Sequence, residues 1–428
     1  MGLLFCVIAL LVLLFVGMPI GFSLLIATLA YVIGFSSQPV MVVCKQIIAG
    51  ANSFTILALP AFLLLGNLLG RSGLTNRIVD MAKGFVGHMK GALAQVNNVT
   101  NMILACVQGV ATSSTAAVGS ILIPAMTDEG YSPAYSAALT AAAATVGPII
   151  PPSITFVVLG VAAELSIGRL FMAGVIPGIL MVVFLMVYVA WKARRGPEYA
   201  GKSEPFSMKK MVWGVKRGGL AMIIPVIILG GILSGIFTAT EAGAFAVLAA
   251  VILALFVYRS MKIKDLWTSL KETCATLGNF GIVFAGAGAF GWMLAREGAA
   301  NLLANAVLGL TSNGFVVMLL MNVIMLIAGC FMDTITNVVL FTPIFYPIAL
   351  AYGYDPIHFG AIMVINLTYG TITPPLGTSM FMACGIARVS MDKFVKEVLP
   401  MYIPLMIILL LVILIPELST WLPSIVME

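Results

Sequence analysis

The chain has 428 residues, of which 61% are hydrophobic and only 9% charged, with a mean hydropathy of +1.12. An average soluble domain carries roughly 25% charged residues, so a water-soluble enzyme or binding module is excluded. The net charge of +6 and pI near 9.0 do not point to nucleic acid. The basic residues sit between apolar runs, which is the ordinary topology bias of membrane proteins.

Apolar stretches near the roughly 20 residues that cross a bilayer recur along the whole sequence, from 3–34 through 173–191 to 403–415. They predict an all-α polytopic membrane protein. Residues 3–16 imitate the core of a signal peptide but lack a basic start and a small-residue cleavage site, so they are read as a mature spanning segment. The stretch 3–34 is long for one crossing and short for two, with a candidate break at 17–19, which leaves the side of Met1 open. The six cysteines are scattered without CxxC spacing and are read as packing residues.

Further along, 108–116 (QGVATSSTA) and 331–337 (FMDTITN) each interrupt an apolar run with hydroxyl, amide or carboxylate residues. They are read as tips of re-entrant hairpins. Each is followed by a Gly/Pro break inside an apolar segment, 147–152 (GPIIPP) and 370–375 (GTITPP). In hydrocarbon, irregular backbone survives only where protein buries it or it lines a cavity.

The two tip-and-break sets belong to an internal repeat. The segment 124–133 (PAMTDEGYSP) reappears as 347–356 (PIALAYGYDP), and the same register aligns 145–152 (TVGPIIPP) with 368–375 (TYGTITPP). Upstream, Gly66, Arg71, Gly73 and Asn76 match Gly291, Arg296, Gly298 and Asn301 in nearly the same register. Residues 1–191 form the first repeat, 192–217 a linker and 218–428 the second.

The linker carries Lys192, Arg194, Arg195, Lys202, Lys209, Lys210, Lys216 and Arg217 against Glu198 and Glu204, which makes it cytoplasmic by the positive-inside rule. Arg71, Arg77, Lys83 and Lys90 make one first-half loop basic, whereas the equivalent loop after Gly298 lacks Lys and Arg. Conversely, 36–53 holds only Lys45, while its counterpart holds Arg259, Lys262, Lys264 and Lys271. Equivalent loops therefore face opposite sides, and the repeats are inverted. Inverted repeats with discontinuous helices characterise secondary transporters, whose sites lie near the bilayer midplane.

Neutral oxygens at an unwound turn suit a hard monovalent cation. One sodium site is expected from Thr112, Ser113 and Ser114 with Gly147, Ile150 and Pro152. Its mate is expected from Asp333, Thr334, Thr336 and Asn337 with Gly370 and Thr373. Ionisable residues amid apolar sequence are costly and usually functional. Asp333, in a tip, is the strongest of them; Ser153, Arg296 and Glu241 are further substrate or coupling candidates. Glu241 reads equally as a functional residue or as a structural helix cap or scaffold brace, and Arg71 and Arg296 read as snorkelling or pairing near segment ends. His88 and His358 sit in no HExxH-like or nucleophile-supporting pattern, so no enzyme is expected; no GxxxxGK[ST] occurs, so ATP is not the direct drive.

The stretches 108–120, 147–153, 238–243 (TATEAG) and 370–375 together resemble the large membrane subunit of tripartite ATP-independent periplasmic (TRAP) transporters, across essentially the whole chain. The resemblance implies an elevator mechanism in the bacterial inner membrane. A scaffold containing Glu241 stays still while both hairpins slide, and at least two sodium ions drive the motion. It also implies two partners, a small four-helix membrane subunit and a periplasmic substrate-binding protein. The substrate would be a small organic acid of the sialic acid or C4-dicarboxylate class. Residues 111–114 admit more than one register for the ligating hydroxyl pair. The nearest alternative is a single-component sodium-coupled dicarboxylate or citrate carrier.

The inverted repeat is testable by labelling. Cysteines placed at Lys83 and Lys202 should react only from the cytoplasm and one at Asn313 only from the periplasm; reaction of Lys83 and Asn313 positions from one side would remove the inversion.

Overall fold

Within a bilayer each backbone N–H and C=O must find its partner in the protein, and a chain this apolar answers with helices. The structure, a computed structural model, describes residues 2–52, 54–203, 205–299, 302 and 313–427. Asn301 and Glu204 of the sequence comparison lie outside the described residues. Among the described residues all regular structure is helical, and six helices are long and apolar enough to span a membrane. These are Ile167–Lys192, Met208–Leu233, Ala239–Val257, Ile263–Arg296, Thr334–Ala351 and Met391–Leu414. The ambiguous N-terminal stretch resolves into two helices, Gly2–Phe15 and Ile20–Phe35. They are separated at Gly17, whose φ of 85° continues no right-handed helix.

The helices form two groups. In the first, the 34-residue helix Ile263–Arg296 packs against Ile20–Phe35, Met41–Ala51 and Ala58–Arg71. Contact is backbone-close: a Cβ on Gly286 would stand 2.6 Å from the Gly21 carbonyl oxygen, and one on Gly50 would stand 2.6 Å from that of Phe284. Small residues of this kind let membrane helices approach without a hydrophobic drive between them. Ala239–Ile252 packs on the other side of Ala58–Arg71.

The second group holds both expected hairpins. Ala92–Gln108 and Ala111–Asp128 make the first, Gly314–Gly329 and Thr334–Ala351 the second. Each hairpin is followed by a discontinuous helix, Pro133–Ala144 with Ile154–Ala162 and Pro356–Gly370 with Thr378–Ala387. The aligned prolines begin the proximal pieces: Ser132 and Asp355 cap them through side-chain oxygens, with Pro133 and Pro356 at the first helical position. The Pro151–Pro152 and Pro374–Pro375 bonds are both cis.

The halves interlock. The return leg Ala111–Asp128 packs on Thr378–Ala387 of the other half, and Thr334–Ala351 packs on Ile154–Ala162. The linker region is folded against the second group and along Leu74–Val86. The Ser132 amide donates to the Glu198 carbonyl at 3.1 Å, and the Tyr131 hydroxyl to that of Ala200 at 3.1 Å. Met208–Gly218 lies along Leu74–Val86.

Each tip docks on its own break, and glycine permits the approach. Gly109 has φ 64°, and a Cβ there would stand 2.6 Å from the Pro152 carbonyl oxygen. A Cβ on Gly329 would stand 2.9 Å from the Gly370 Cα, and the Leu376 amide donates to the Cys330 carbonyl at 3.1 Å. Gly109→Ala should therefore lose at least about 2 kcal/mol, since left-handed backbone and a backbone clash act together. Gly281→Ala, with open space around it, should not. Thermal unfolding of the two variants in detergent checks the difference.

Candidate functional site

The first hairpin turns on Gly109 and Val110 alone, because the left-handed glycine ends one helix and extended Val110 caps the next. Thr112, Ser113 and Ser114 thus occupy the first turn of Ala111–Asp128. In the second hairpin Asp333 is the N-cap of Thr334–Ala351. Its carboxylate accepts the Thr336 amide at 2.9 Å and the Thr336 hydroxyl at 3.1 Å.

Both tips open on one cavity of 320 Å³. Thr112 and Ser113 line it from the first tip, Asp333 and Thr334 from the second, and Pro148 and Thr371 from the two breaks. Its other wall comes from the first helix group, with Leu63, Gly66 and Asn67 of Ala58–Arg71 and Thr276 and Phe280 of Ile263–Arg296. The first residues of four helices, Ala111, Ile154, Thr334 and Thr378, all line this cavity. Helix N-termini carry partial positive charge, and three of these four are capped within the protein: Asp333 accepts the Thr336 amide, Ser153 the Phe156 amide, and the Thr371 carbonyl the Ser379 and Met380 amides. No Lys or Arg is among the lining residues.

The remaining expected ligands stand behind this surface. Ser114 is buried, its hydroxyl 3.4 Å from Gln108 Oε1. Gly147 backs onto Val110, and the Pro152 carbonyl faces Gly109. The Ile150 side chain packs over Gly178. Ser153 caps Ile154–Ala162, accepting the Phe156 amide at 3.1 Å while donating to the Pro148 carbonyl. Thr373 donates to the Tyr369 carbonyl at 2.8 Å or shares a 2.6 Å bond with the Tyr402 hydroxyl. Asn337 donates to the Met332 carbonyl at 3.1 Å.

Two expected residues are not brought here. Glu241 closes a capping box, accepting the Thr238 amide at 2.8 Å and hydroxyl at 2.9 Å at the start of Ala239–Ile252. Arg296 lies at the far end of its helix with its guanidinium 5.8 Å from the Trp292 ring. Its repeat mate Arg71 pairs with Glu272 at an exposed position.

Several buried polar atoms at the junctions have no hydrogen-bond partner among the described residues. They are Asn337 Oδ1, Thr378 Oγ1 and Ser379 Oγ in the second half and Gln108 Nε2 in the first. Buried oxygens are rarely left unpaired. The Ser379 amide donates to the Thr371 carbonyl at 2.9 Å, which places Ser379 beside the second break. No cluster of three or more His, Cys, Asp or Glu that would hold a transition metal occurs among the described residues. Sequence reading missed Asn67, Thr276 and Thr378; the signal available was an amide or hydroxyl within an otherwise apolar helix, as in 63–70 (LLLGNLLG).

Comparison with known proteins gives consistent neighbours. Residues 7–418 match the family model described as tripartite ATP-independent periplasmic transporter, DctM component. A sialic acid TRAP transporter large permease protein, SiaM, from Vibrio cholerae is 37% identical over 414 residues, covering 96% of each chain. A C4-dicarboxylate TRAP transporter large permease protein, DctM, from Pseudomonas aeruginosa is 36% identical over 395 residues, covering 91% of each. An isethionate TRAP transporter permease protein, DctMQ, from Oleidesulfovibrio alaskensis is 37% identical over 412 residues, covering 96% of this chain and 64% of that one. Among solved structures, the YdaH transporter of Alcanivorax borkumensis shares the fold with a TM-score of 0.65 at 14% identity, covering 89% of each chain.

Asp333 serves both a helix cap and the cavity surface, and the two roles separate by substitution. Asp333→Ala should lose about 1 kcal/mol of stability with the cap. Asp333→Ser, which keeps a capping oxygen, should recover stability in thermal unfolding but not substrate uptake; recovery of both would leave the carboxylate only its capping role.

Proposed function

The chain belongs to the DctM-component family of tripartite ATP-independent periplasmic transporters; on that premise we propose that it is the large permease subunit of a sodium-driven importer of a small organic acid. The observation that carries the reading is the convergence of four helix N-termini and both hairpin tips on one cavity without a basic side chain. The named relatives handle sialic acid, a C4-dicarboxylate and isethionate, each a small anion with a carboxylate or sulfonate group. Oriented N–H groups recognise either head group, and the neighbouring Thr112, Ser113, Thr334 and Thr371 hydroxyls suit a polar body.

Sodium is proposed to bind where helices end. Broken helices point N-termini at an anion while their carbonyl ends coordinate a coupling cation. Thr112, Ser113 and Ser114 with the carbonyls of Gly147, Ile150 and Pro152 make the first such site. Asp333, Thr334, Thr336, Asn337, Gly370 and Thr373 make the second, where Asn337 Oδ1 is buried with no hydrogen-bond partner among the described residues. Substrate and sodium then share the same two tips, so binding of one stabilises the geometry the other needs.

Transport is proposed to follow an elevator path along the interface between the helix groups. A second cavity of 650 Å³ lies on that interface farther along Ile263–Arg296, lined by Gly50, Gly160, Glu164, Gly288, Trp292 and Pro343. Space farther along that interface is what a sliding body needs. A small membrane subunit beside the first group, a periplasmic binding protein delivering substrate and the bacterial inner membrane complete the system.

Reconstituted with its small subunit and supplied with liganded binding protein, the chain should import substrate only down an inward sodium gradient, with a Hill coefficient above one. Ser113→Ala and Thr373→Val should each raise the half-saturating sodium concentration about fivefold, the equivalent of one hydroxyl ligand at about 1 kcal/mol. Uptake in sodium-free buffer under a proton gradient, or uptake of free substrate without the binding protein, would move the chain to the single-component carriers.

A further inference from the structure

The two walls of the tip cavity present hydrogen-bonding groups of opposite sense. On the hairpin side, Gln108 ends the leg Ala92–Gln108 and lines the cavity while only 2% exposed. The Ser114 hydroxyl donates to its Oε1 at 3.4 Å, which leaves Nε2 as the free end, buried and without a partner among the described residues. An amide nitrogen so placed offers two N–H donors to an acceptor that the protein does not supply.

On the facing wall the sense is reversed. The Thr273 hydroxyl gives its one proton to the Ser269 carbonyl at 2.8 Å, so its oxygen can only accept. Asn67 must therefore turn its nitrogen to Thr273, which it does at 2.9 Å, and its Oδ1 is left to the cavity that Asn67 lines. Thr276 spends its proton in the same way, on the Glu272 carbonyl at 2.9 Å, and shows the cavity an oxygen. The two sets are neighbours. A Cβ on Gly66 would stand 3.5 Å from the Gln108 carbonyl oxygen and one on Gly70 4.0 Å from Gln108 Nε2, and these glycines flank Asn67 on Ala58–Arg71.

This polarity selects a ligand. Carboxylate or sulfonate oxygens accept, so they suit Gln108 Nε2; against Asn67 Oδ1 and Thr276 Oγ1 they would face lone pairs. The group that suits the second wall is a donor, and on a small organic acid that donor is a hydroxyl. A site built to bond a substrate hydroxyl rejects the analogue lacking it, because the protein group is then left unpaired. Resting on the reading of the chain as a permease for a small organic acid, we propose that Gln108 holds the acid head group and that Asn67, with Thr276, reads a hydroxyl on the body of the substrate. The chain then prefers hydroxylated acids to bare ones. Gln108 and Asn67 belong to different helix groups, so the ligand bridges them, and the hydroxyl contact exists only while the groups stand as they do in this structure.

The test measures ligand-induced thermal stabilisation of the purified full chain in detergent, in sodium and in sodium-free buffer. The probes are acid pairs that differ by one hydroxyl: isethionate with ethanesulfonate, and malate with succinate. The hydroxylated member of each pair should bind about fivefold tighter. Asn67→Ala should remove that preference and leave ethanesulfonate and succinate unchanged, which a merely structural role would not do. Gln108→Glu keeps the oxygen that accepts from Ser114 and removes the N–H donors, so it should weaken all four acids about 20-fold. The uncharged Gln108→Met should also weaken all four and keeps the test decisive if Gln108→Glu is unstable, with unfolding in the absence of acid reporting the fold. Equal affinity within both pairs, a preference that survives Asn67→Ala, undiminished binding by the Gln108 variants, or no binding of either hydroxylated acid would overturn the proposal. Binding that keeps the hydroxyl preference without sodium supports it and overturns the sodium drive, whereas sodium-dependent binding without the preference does the reverse.

Discussion

An unpaired N–H or C=O in hydrocarbon costs several kcal/mol, and this chain interrupts helices at two places inside its apolar sequence. The cost is met by docking. Each hairpin tip is laid on the break of its own half so closely that side chains are excluded at the contact, Gly109 on Pro152 and Gly329 on Gly370. The Leu376 amide finds the Cys330 carbonyl across the second junction. Once tip and break are locked together, the helices that start at them must start at the same depth, which gathers Ala111, Ile154, Thr334 and Thr378 around one cavity. The shared position of these helix starts is thus a consequence of satisfying backbone inside lipid.

The same economy explains the scarcity of charged side chains in the cavity. Oriented peptide dipoles supply partial charge that is already fixed and partly dehydrated, whereas a buried Arg would need its own partner. Asp333 is the one carboxylate admitted, and it is held by the amide and hydroxyl of Thr336. For a transporter such weak, distributed charge has a further advantage. A ligand held by dipoles and hydroxyls is released more readily than one held in a bidentate ion pair, and release is half of the cycle.

Interlocking of the two halves fixes which parts move together in the proposed mechanism. Each return leg packs on the distal piece of the other half's broken helix, Ala111–Asp128 on Thr378–Ala387 and Thr334–Ala351 on Ile154–Ala162. The two tips cannot separate without breaking both packings. The opposite wall of the cavity, Asn67, Thr276 and their neighbours, belongs to Ala58–Arg71 and Ile263–Arg296, joined where Asn67 donates to the Thr273 hydroxyl at 2.9 Å. The latter helix is held to Ile20–Phe35 and Met41–Ala51 by glycine contacts. The boundary between bodies therefore runs across both repeats and not between them. The folded linker is bound by Glu198 and Ala200 to the hairpin side and by Met208–Gly218 to Leu74–Val86, which itself packs on Ala92–Gln108 of the first hairpin.

Membrane class, helical content, the two tips and the two breaks were legible in the sequence because each rests on local chemistry. Apolar run length reports the bilayer, and Gly or Pro within such a run reports freed backbone. Repetition of the same punctuation, as in 145–152 and 368–375, made those signals mutually supporting. Other features depend on segments far apart in the chain. Glu241 and Arg296 looked alike as charges in apolar surroundings, yet one closes a capping box with Thr238 and the other lies beside Trp292 at a helix end. Asn67 and Thr276 carried no motif and reach the cavity only because Ala58–Arg71 crosses Ile263–Arg296. The sequence by itself determined where the helices break; only the tertiary structure decided which groups face the break, because burial and direction are set by packing partners that local spacing does not encode.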